Sequence, residues 1–496
     1  MKKFDLCVIG GGPSGYAAVM RAMDFGKTVA LIERGRIGGA GIWNGALSSK
    51  TLWELSVNYT ISQTQGLGYR VYDSELIFSE VLSQMNQAVH EKYTQLKTQL
   101  DYFQRKGLIE FFNGHGKLKT ENEIEVMFKD GHSELIWADN TVLAIGSRPR
   151  YVPNIEIDEK IILSSDGISS INKFPESIVI LGAGVIGSEF ATIFSNFGKT
   201  KVYIIDKQDK ILPFEDRDLA DIVASNLQKN GVTIHHGANL ERMEIVDGRV
   251  EYEISIDGRK EIYNVEKALV SVGRVPNIEN LGLEDIGVKI NDRGYCIDDD
   301  TQTCIENIYA VGDFTADIAL VNVGELEGRY AVERIFGSPK KKINYDNIST
   351  IMFLNPAIAG VGYNETKCRQ MKMPYKVATM HFKYVNRAIA MRKTEGLFKI
   401  LVTDDDEMKV LGMRACGKHA SSTIESIALL IDKGLSIHEL AELIHPHPSI
   451  TEGIQECARM LCGKSIIKPE IFNMDLKCYR VSAEGRMSPI TNYENK

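Results

Sequence analysis

The sequence predicts an α/β protein with two Rossmann-like dinucleotide-binding domains followed by a C-terminal α+β domain, and three observations carry that expectation. An apolar run ends in GxGxxG twice, first in FDLCVIGGGPSG (Gly10, Gly12, Gly15) and then in SIVILGAGVIGSE (Gly182, Gly184, Gly187). After each copy a second apolar run closes on an acid, Glu33 after residues 28–32 and Asp206 in KVYIID. From about residue 347 strands and helices alternate without another such motif. Each motif spacing fits a strand, a tight turn, a helix and a second strand, the unit that sets a pyrophosphate against a helix N-terminus while the carboxylate takes ribose hydroxyls. A single GxGxxG in a Gly-rich chain is often only a strand turning tightly into a helix. Two copies, each with its acid in place, argue for two bound dinucleotides.

The elements follow in order. Residues 76–103 carry apolar side chains at 78, 81, 82, 85, 89, 96, 100 and 103, a 3.6-residue period that predicts one long helix. Residues 109–137 read as short alternating strands with turns at Asn113-Gly114 and Asp130-Gly131, leading to TVLAIGSRP and closing the first domain near 150. The second unit, 151–273, ends in KALVSVGRVPN, which echoes TVLAIGSRP; the repeat starts lie 172 residues apart (182 − 10). Residues 274–346 return to the first domain, with NIYAVGDFT as a strand entering a Gly-Asp turn and 323–336 as a helix. Within 347–465, KVATMHF, GLFKILVT and KVLGMRAC read as strands and 421–433 and 451–460 as helices. The tail, 466–496, has weak periodicity and reads as partly extended.

With 496 residues, 44% apolar and 25% charged, the composition is that of a multidomain globular protein with three or four domains. The 58 basic and 66 acidic residues give a net −8, which argues against a nucleic-acid partner. No apolar run reaches membrane-span length. The first strand begins so near the initiator that no leader is expected before Phe4, and a cytoplasmic location follows. Eight cysteines, at 7, 296, 304, 368, 416, 457, 462 and 478, show no metal-ligand spacing; neither structural disulfides nor a metal site is expected.

GGGPSG, AIGSRP, GAGVIGSE, VGRVPN, YAVGDF and HPHPSITE, in this order across nearly the whole chain, resemble the pyridine nucleotide-disulfide oxidoreductases, and among them the dihydrolipoamide dehydrogenases most. The resemblance implies FAD on the first unit, a nicotinamide nucleotide on the second, and a C-terminal domain that forms a homodimer. It places Gly10, Gly12, Pro13, Ser14 and Gly15 at the FAD pyrophosphate, Glu33 at the adenosine ribose, and Gly312 and Asp313 at the ribityl hydroxyls, with Arg34, Gly39, Gly116 and Gly146 in the same cofactor-binding set. Gly182, Gly184, Val185, Gly187, Asp206 and Gly273 complete that set, and Asp206 favours NAD over NADP because it would repel a 2′-phosphate, although Lys207 and Lys210 close by could soften this preference. Lys50 is expected to ion-pair with Glu189 beside the flavin, where a fixed cation stabilises charge arriving with hydride. His447 and Glu452 match the family's base and its orienting carboxylate, reaching the site from the partner subunit. Ser449 to Glu452 also reads as an S-x-x-E capping box, so Glu452 has a plain structural role available.

One segment departs from the pattern. Where the family has a GGTCLNVGCIPSK-like run, residues 38–50 read GGAGIWNGALSSK: Gly41 and Ala46 stand at the redox cysteine positions, and Ser48 replaces the proline. Neither glycine nor alanine can undergo thiol–disulfide exchange. Cys457 and Cys462 share a CxxxxC spacing, but five residues of helix leave their side chains about 140° apart, poor geometry for a bridge. Trp43 either lines the space left by the sulfurs or packs.

The function expected is therefore FAD-dependent NAD(P)H oxidation with transfer to a small-molecule, non-disulfide acceptor: a quinone, a dye, dioxygen or a second nicotinamide. The alternatives are a redox-inactive flavin-binding structural or sensing protein, and dihydrolipoamide dehydrogenase activity through other cysteines.

Overall fold

The computed structural model describes residues 1–66, 68–69, 71–72, 74–315 and 318–490. It divides into two compact units, Met1–Glu176 with Arg242–Tyr252 and Tyr263–Ile343, and Ser177–Glu241 with Glu253–Ile262 and Asn344–Lys496.

In the first unit the strand Lys2–Ile9 pairs in parallel with Val29–Ile32 on one side and Ser133–Leu143 on the other; Ile109–Phe112 and Ile308–Ala310 extend the sheet, also in parallel. Successive side chains point to opposite faces of a strand. Leu6 and Val8 accordingly join Tyr16, Val19, Leu96 and Leu100 in one core, while Cys7 and Ile9 join Leu118, Ile124 and Val126 in another. Helices Pro13–Asp24 and Phe78–Arg105 supply the first core, and the antiparallel strands Gly114–Leu118 and Glu123–Phe128 the second. The long helix lies within two residues of its predicted span, with Val81, Met85, Val89, Leu96 and Leu100 as its buried stripe. The two chain crossings near AIGSRP and VGRVPN, Ser147–Pro149 and Arg274–Pro276, pair antiparallel, and Ile162–Ser164 pairs in parallel with Lys267–Val270.

The second unit repeats the opening: Ser177–Leu181, Lys201–Ile205 and Thr233–His235 pair in parallel. Its helix Val185–Phe197 is buried throughout residues 187–197, the polar Ser188, Glu189, Thr192, Ser195 and Asn196 included. The C-terminal sheet has seven strands in the order Ser349–Met352, Ile358–Gly362, Val410–Cys416, Leu397–Thr403, Tyr375–His381, Leu476–Val481, Met487–Pro489. Helices Glu425–Lys433 and Glu452–Leu461 cover its core. The tail is thus part of this sheet up to Pro489, with Leu476–Val481 paired against Tyr375–His381. Its sequence signal is weak because only Leu476, Cys478 and Val481 turn inward. Residues 491–496 lie outside the described part.

A buried charge cluster joins the glycine-rich half of this unit to the C-terminal sheet. Lys399 Nζ, with its side chain 1% exposed, lies 3.1 Å from Asp216, 2.7 Å from Asp218 and 2.8 Å from Glu365. The Tyr375 and Tyr479 hydroxyls donate to Glu365 at 2.8 and 3.0 Å. Burial pushes the Lys399 ammonium toward neutrality, but the three carboxylates outweigh it and hold the group charged. Burial also acts to raise Asp216, and Lys399 with the Thr366 amide holds it below the usual carboxylate range. Removing the cation alone leaves uncompensated buried carboxylates, so Lys399→Met is expected to cost about 3–5 kcal/mol, read as a lowered denaturation midpoint. Because the folded pKa of Asp216 is depressed, its contribution is full above its unfolded pKa of about 3.9 and is lost as pH falls through the folded value. The stability gap between wild type and Asp216→Asn is expected to be constant near neutral pH and to narrow as the pH is lowered below about 3.9.

Candidate dinucleotide and electron-transfer site

Two cradles of the same build lie one in each unit. In the first, Gly10 has φ 108°, and a Cβ there would stand 2.1 Å from the Ala144 carbonyl oxygen. A Cβ at Gly15 would stand 1.9 Å from the Gly10 carbonyl oxygen, so strand end and helix start meet backbone to backbone. Gly12, the N-cap of Pro13–Asp24, is different: nothing lies within 4 Å of its Cβ position. Pro13 opens the helix, where its missing N–H is not needed. Glu33 turns both oxygens onto backbone, Oε2 accepting from Gly11 N and Oε1 from Gly35 N, each at 2.6 Å. Arg34 beside it is exposed.

The second cradle matches in detail. Gly182 has φ 100°, and the N-cap Gly184 (φ −71°, ψ −168°) repeats Gly12 (φ −70°, ψ −175°). Gly184 is likewise open, Val185 is the first helical residue, and Gly187 is buried behind it. Asp206 accepts from Ala183 N at 2.6 Å and from Gln208 N at 2.8 Å. Each cradle therefore offers helix N–H donors over an open glycine and a carboxylate at the next strand end, a donor and acceptor set that fits a dinucleotide. Lys207 is exposed, while Lys210 donates to the Glu215 carbonyl oxygen.

The Gly-Asp turn closes the first site. Gly312–Phe314 is a short 3₁₀ turn after Ile308–Ala310, and Ser147 Oγ donates to Asp313 Oδ2 at 2.5 Å. Fully buried Glu327 accepts from Gly312 N at 2.6 Å. Gly324 and Gly328 let helix Val321–Phe336 lie directly on Ser14, where a Cβ at 328 would stand 2.1 Å from the Ser14 carbonyl oxygen. Sequence reasoning quoted the motifs around Ser147 and Arg274 without giving either a role, and it missed Glu327; the Gly-x-x-x-Gly spacing on a helix was the available hint of a close backbone approach. Gly39 reaches Gly12, its Cβ position 3.1 Å from Gly12 Cα, and a Cβ at Gly116 would stand 3.2 and 3.3 Å from Ile32 and Ile9. Gly146 and Gly273 each follow a strand end by three residues, after Ser133–Leu143 and Lys267–Val270, and their carbonyl oxygens accept from Asn277 N and Arg150 N at 3.1 and 3.0 Å.

Residues 38–50 form the short helix Gly39–Ile42 and the start of Ala46–Gln63, and they contain no cysteine. A Cβ at Gly41 would stand 2.4 Å from Pro13 Cγ. Trp43 packs: its indole donates to Ile37 O at 2.9 Å, its ring meets His90 and Tyr93 edge-on at 5.6 and 5.4 Å, and the Arg36 guanidinium lies 4.5 Å from its centroid. Lys50 is half-buried on the helix Ala46–Gln63. In the second unit, Glu189 is buried and accepts from Phe353 N at 2.9 Å.

His447 Nδ1 lies 2.6 Å from Glu452 Oε1, while Glu452 Oε2 accepts from Ser449 N at 2.8 Å. Burial acts to raise Glu452, but these two hydrogen bonds hold it below the usual carboxylate range. The helix is assigned from Glu452, and Ser449 Oγ pairs with Thr451 Oγ1 at 2.9 Å, so half of the capping box forms. All eight cysteines are free thiols, and only Cys304 is exposed. Burial pushes the Cys296, Cys368 and Cys478 thiols up to about 12, and raises Cys7, Cys416, Cys457 and Cys462 as well.

Residues 4–328 match the family model for pyridine nucleotide-disulphide oxidoreductases, and residues 348–458 match that family's dimerisation domain. The chain belongs to this family. Its members use FAD and a nicotinamide nucleotide. The chain is 30% identical over 475 residues to a dihydrolipoyl dehydrogenase of Bacillus subtilis, covering 94% of this chain and 99% of that one. It is 31% identical over 464 residues to the dihydrolipoyl dehydrogenase of Geobacillus stearothermophilus, covering 93% and 97%. Among solved structures, LpdA from Mycobacterium tuberculosis is similar with a TM-score of 0.84 at 25% identity, covering 93% of this chain and all of that one. The HOCl-induced flavoprotein disulfide reductase RclA from Escherichia coli, as its Cu(II) complex, gives 0.83 at 25% identity, with the same coverage. Among the described residues no helix is long and apolar enough to cross a membrane.

Two glycines of the first cradle should separate folding from binding. Gly15→Ala places a Cβ against backbone and is expected to lower stability by about 1–3 kcal/mol. Gly12→Ala is expected to keep the apo-protein's thermal midpoint while weakening FAD retention at least roughly tenfold, since the backbone there must approach the pyrophosphate. Thermal denaturation of apo-protein and FAD titration check the pair.

Proposed function

We propose that this protein is an FAD-dependent NAD(P)H oxidoreductase, active as a homodimer, whose acceptor is not a disulfide but a quinone, a dye, dioxygen or a second nicotinamide. Gly41 is the observation that carries the proposal. At the position matched to a family redox cysteine the backbone lies so close to Pro13 that a Cβ would stand 2.4 Å from its ring. Ala46, matched to the second cysteine, opens the next helix with only a methyl group. Bound FAD supplies the hydride acceptor between nicotinamide and final oxidant.

The protein's own groups then have distinct tasks. Asp206, clamped by two amides, accepts ribose hydroxyls and repels a 2′-phosphate; Lys210, which would attract one, is already engaged by the Glu215 carbonyl oxygen. NAD is therefore the preferred nucleotide. Lys50 contributes a fixed cation that stabilises negative charge arriving with hydride, and Glu189 is its expected partner. His447, held by Glu452 through Nδ1, would in its imidazolium form supply from Nε2 the proton that a reduced quinone needs beyond the hydride of NADH.

The names of the relatives favour a second reading, dihydrolipoyl dehydrogenase activity through other cysteines. Burial opposes it by keeping seven thiols protonated. Anaerobic NADH should bleach the FAD of the purified protein, and a quinone or dye should restore its colour while lipoamide does not. No bleaching would leave a redox-inactive flavin-binding protein; thiol-dependent lipoamide turnover would establish the second reading. The double variant Gly41→Cys/Ala46→Cys is expected to gain no lipoamide activity and to lose FAD, because the new Cβ at 41 pushes on Pro13.

A further inference from the structure

Asp313 is held from two sides, and the outer hold is a chain of side chains with a fixed direction. On the inner side, Glu327 binds Gly312 N at 2.6 Å and Gly312 takes φ 71°, so the turn's backbone is set before any ligand arrives. What remains free is the rotation of the Asp313 side chain. Ser147 Oγ fixes that by donating to Oδ2 at 2.5 Å. A hydroxyl has one proton to give, and Arg274 decides where it goes: Nε donates to Ser147 Oγ at 2.8 Å, and a guanidinium cannot accept in return. Arg274 is itself held, with Nη2 on the Ser147 carbonyl oxygen at 2.8 Å and Nη1 on Asp166 at 3.1 Å, and its side chain is 19% exposed. All of these groups lie in the first unit.

We infer that Ser147, oriented by Arg274, is a positioning residue that turns the Asp313 carboxylate so that its second oxygen faces the flavin's ribityl hydroxyls; this rests on the FAD assignment made above, not on the identity of the acceptor. The positive guanidinium polarises the serine, and hydrogen bonds in such a chain strengthen one another. Lysine in place of Arg274 has one nitrogen for three acceptors and cannot hold the same arrangement. The two residues sit on the paired crossings Ser147–Pro149 and Arg274–Pro276, in register with Pro276 and Pro149. The backbone ladder therefore aligns the two positions, and a substitution at Ser147 leaves the ladder's own hydrogen bonds in place.

The test is a double-mutant cycle on FAD affinity, measured by fluorescence titration of apo-protein. The set is Ser147→Ala, Ser147→Thr, Asp313→Ala, the Ser147→Ala/Asp313→Ala double variant, and Arg274→Lys. Ser147→Ala is expected to weaken FAD binding roughly tenfold, as for loss of a hydrogen bond to a charged group, and to alter the visible circular dichroism of the bound flavin. Ser147→Thr, which keeps the hydroxyl, should restore both. Arg274→Lys should resemble Ser147→Ala. In the Asp313→Ala background, Ser147→Ala should have no further effect. Additive losses, or a threonine variant no better than alanine, would overturn the inference, because either means that Ser147 acts on FAD or on folding without Asp313. The proposed function stands or falls separately: absence of flavin bleaching by NADH would remove it while the affinity cycle still decides the role of Ser147.

Discussion

Backbone meeting backbone at the Gly10–Gly15 turn is the constraint from which the first site follows. The strand end and helix start touch with no Cβ between them, as do Gly10 and Ala144, just past the strand Ser133–Leu143, and Gly328 and Ser14. Each approach closes one side of the turn and leaves Gly12 as its open position. A helix N-terminus is a ready anion site only where its first N–H groups remain reachable. Gly41 belongs to the same enclosure, since it comes against Pro13, the first residue of the helix. A thiol at 41 and this closed approach are mutually exclusive. The glycine at 41 is therefore tied to the packing of the cradle, and a larger side chain there requires Gly39–Ile42 to move back.

The two acids show a second use of local geometry. Glu33 and Asp206 differ by a methylene, yet each caps the amide after the first motif glycine at 2.6 Å and a second amide two residues beyond itself. An ionised carboxylate has about four acceptor sites, so two amides orient it and the remainder can receive ribose hydroxyls. The glycine and the acid are thus one device: the turn presents the amide, and the acid ties the turn to the next strand.

That device is local enough to read from sequence, and the elements most legible were those whose chemistry repeats at short spacing: the glycine turns, the acids, and the long helix with its apolar stripe. The supporting contacts were not legible. Ser147 meets Asp313 across 166 residues and Lys399 meets Asp216 across 183, and no local pattern marks either pairing. Lys399 is the one lysine of the apolar strand Leu397–Thr403, where burial without partners would be prohibitive; three carboxylates from elsewhere make it tolerable. The Leu476–Val481 strand was obscure because a six-residue segment with three inward residues has too little periodicity to stand out.

Glu452 shows that a structural and a chemical reading of one residue need not compete. One oxygen receives Ser449 N and secures the helix start; the other receives His447. The carboxylate is held below its usual range and can only accept, so Nδ1 must carry a proton. In neutral His447 this leaves Nε2 as the unprotonated nitrogen. His447 is 65% exposed in the single chain. The helix cap thus fixes Nε2 as the nitrogen through which the imidazole takes up and gives back a proton, and it is this nitrogen that the proposed quinone reduction would use.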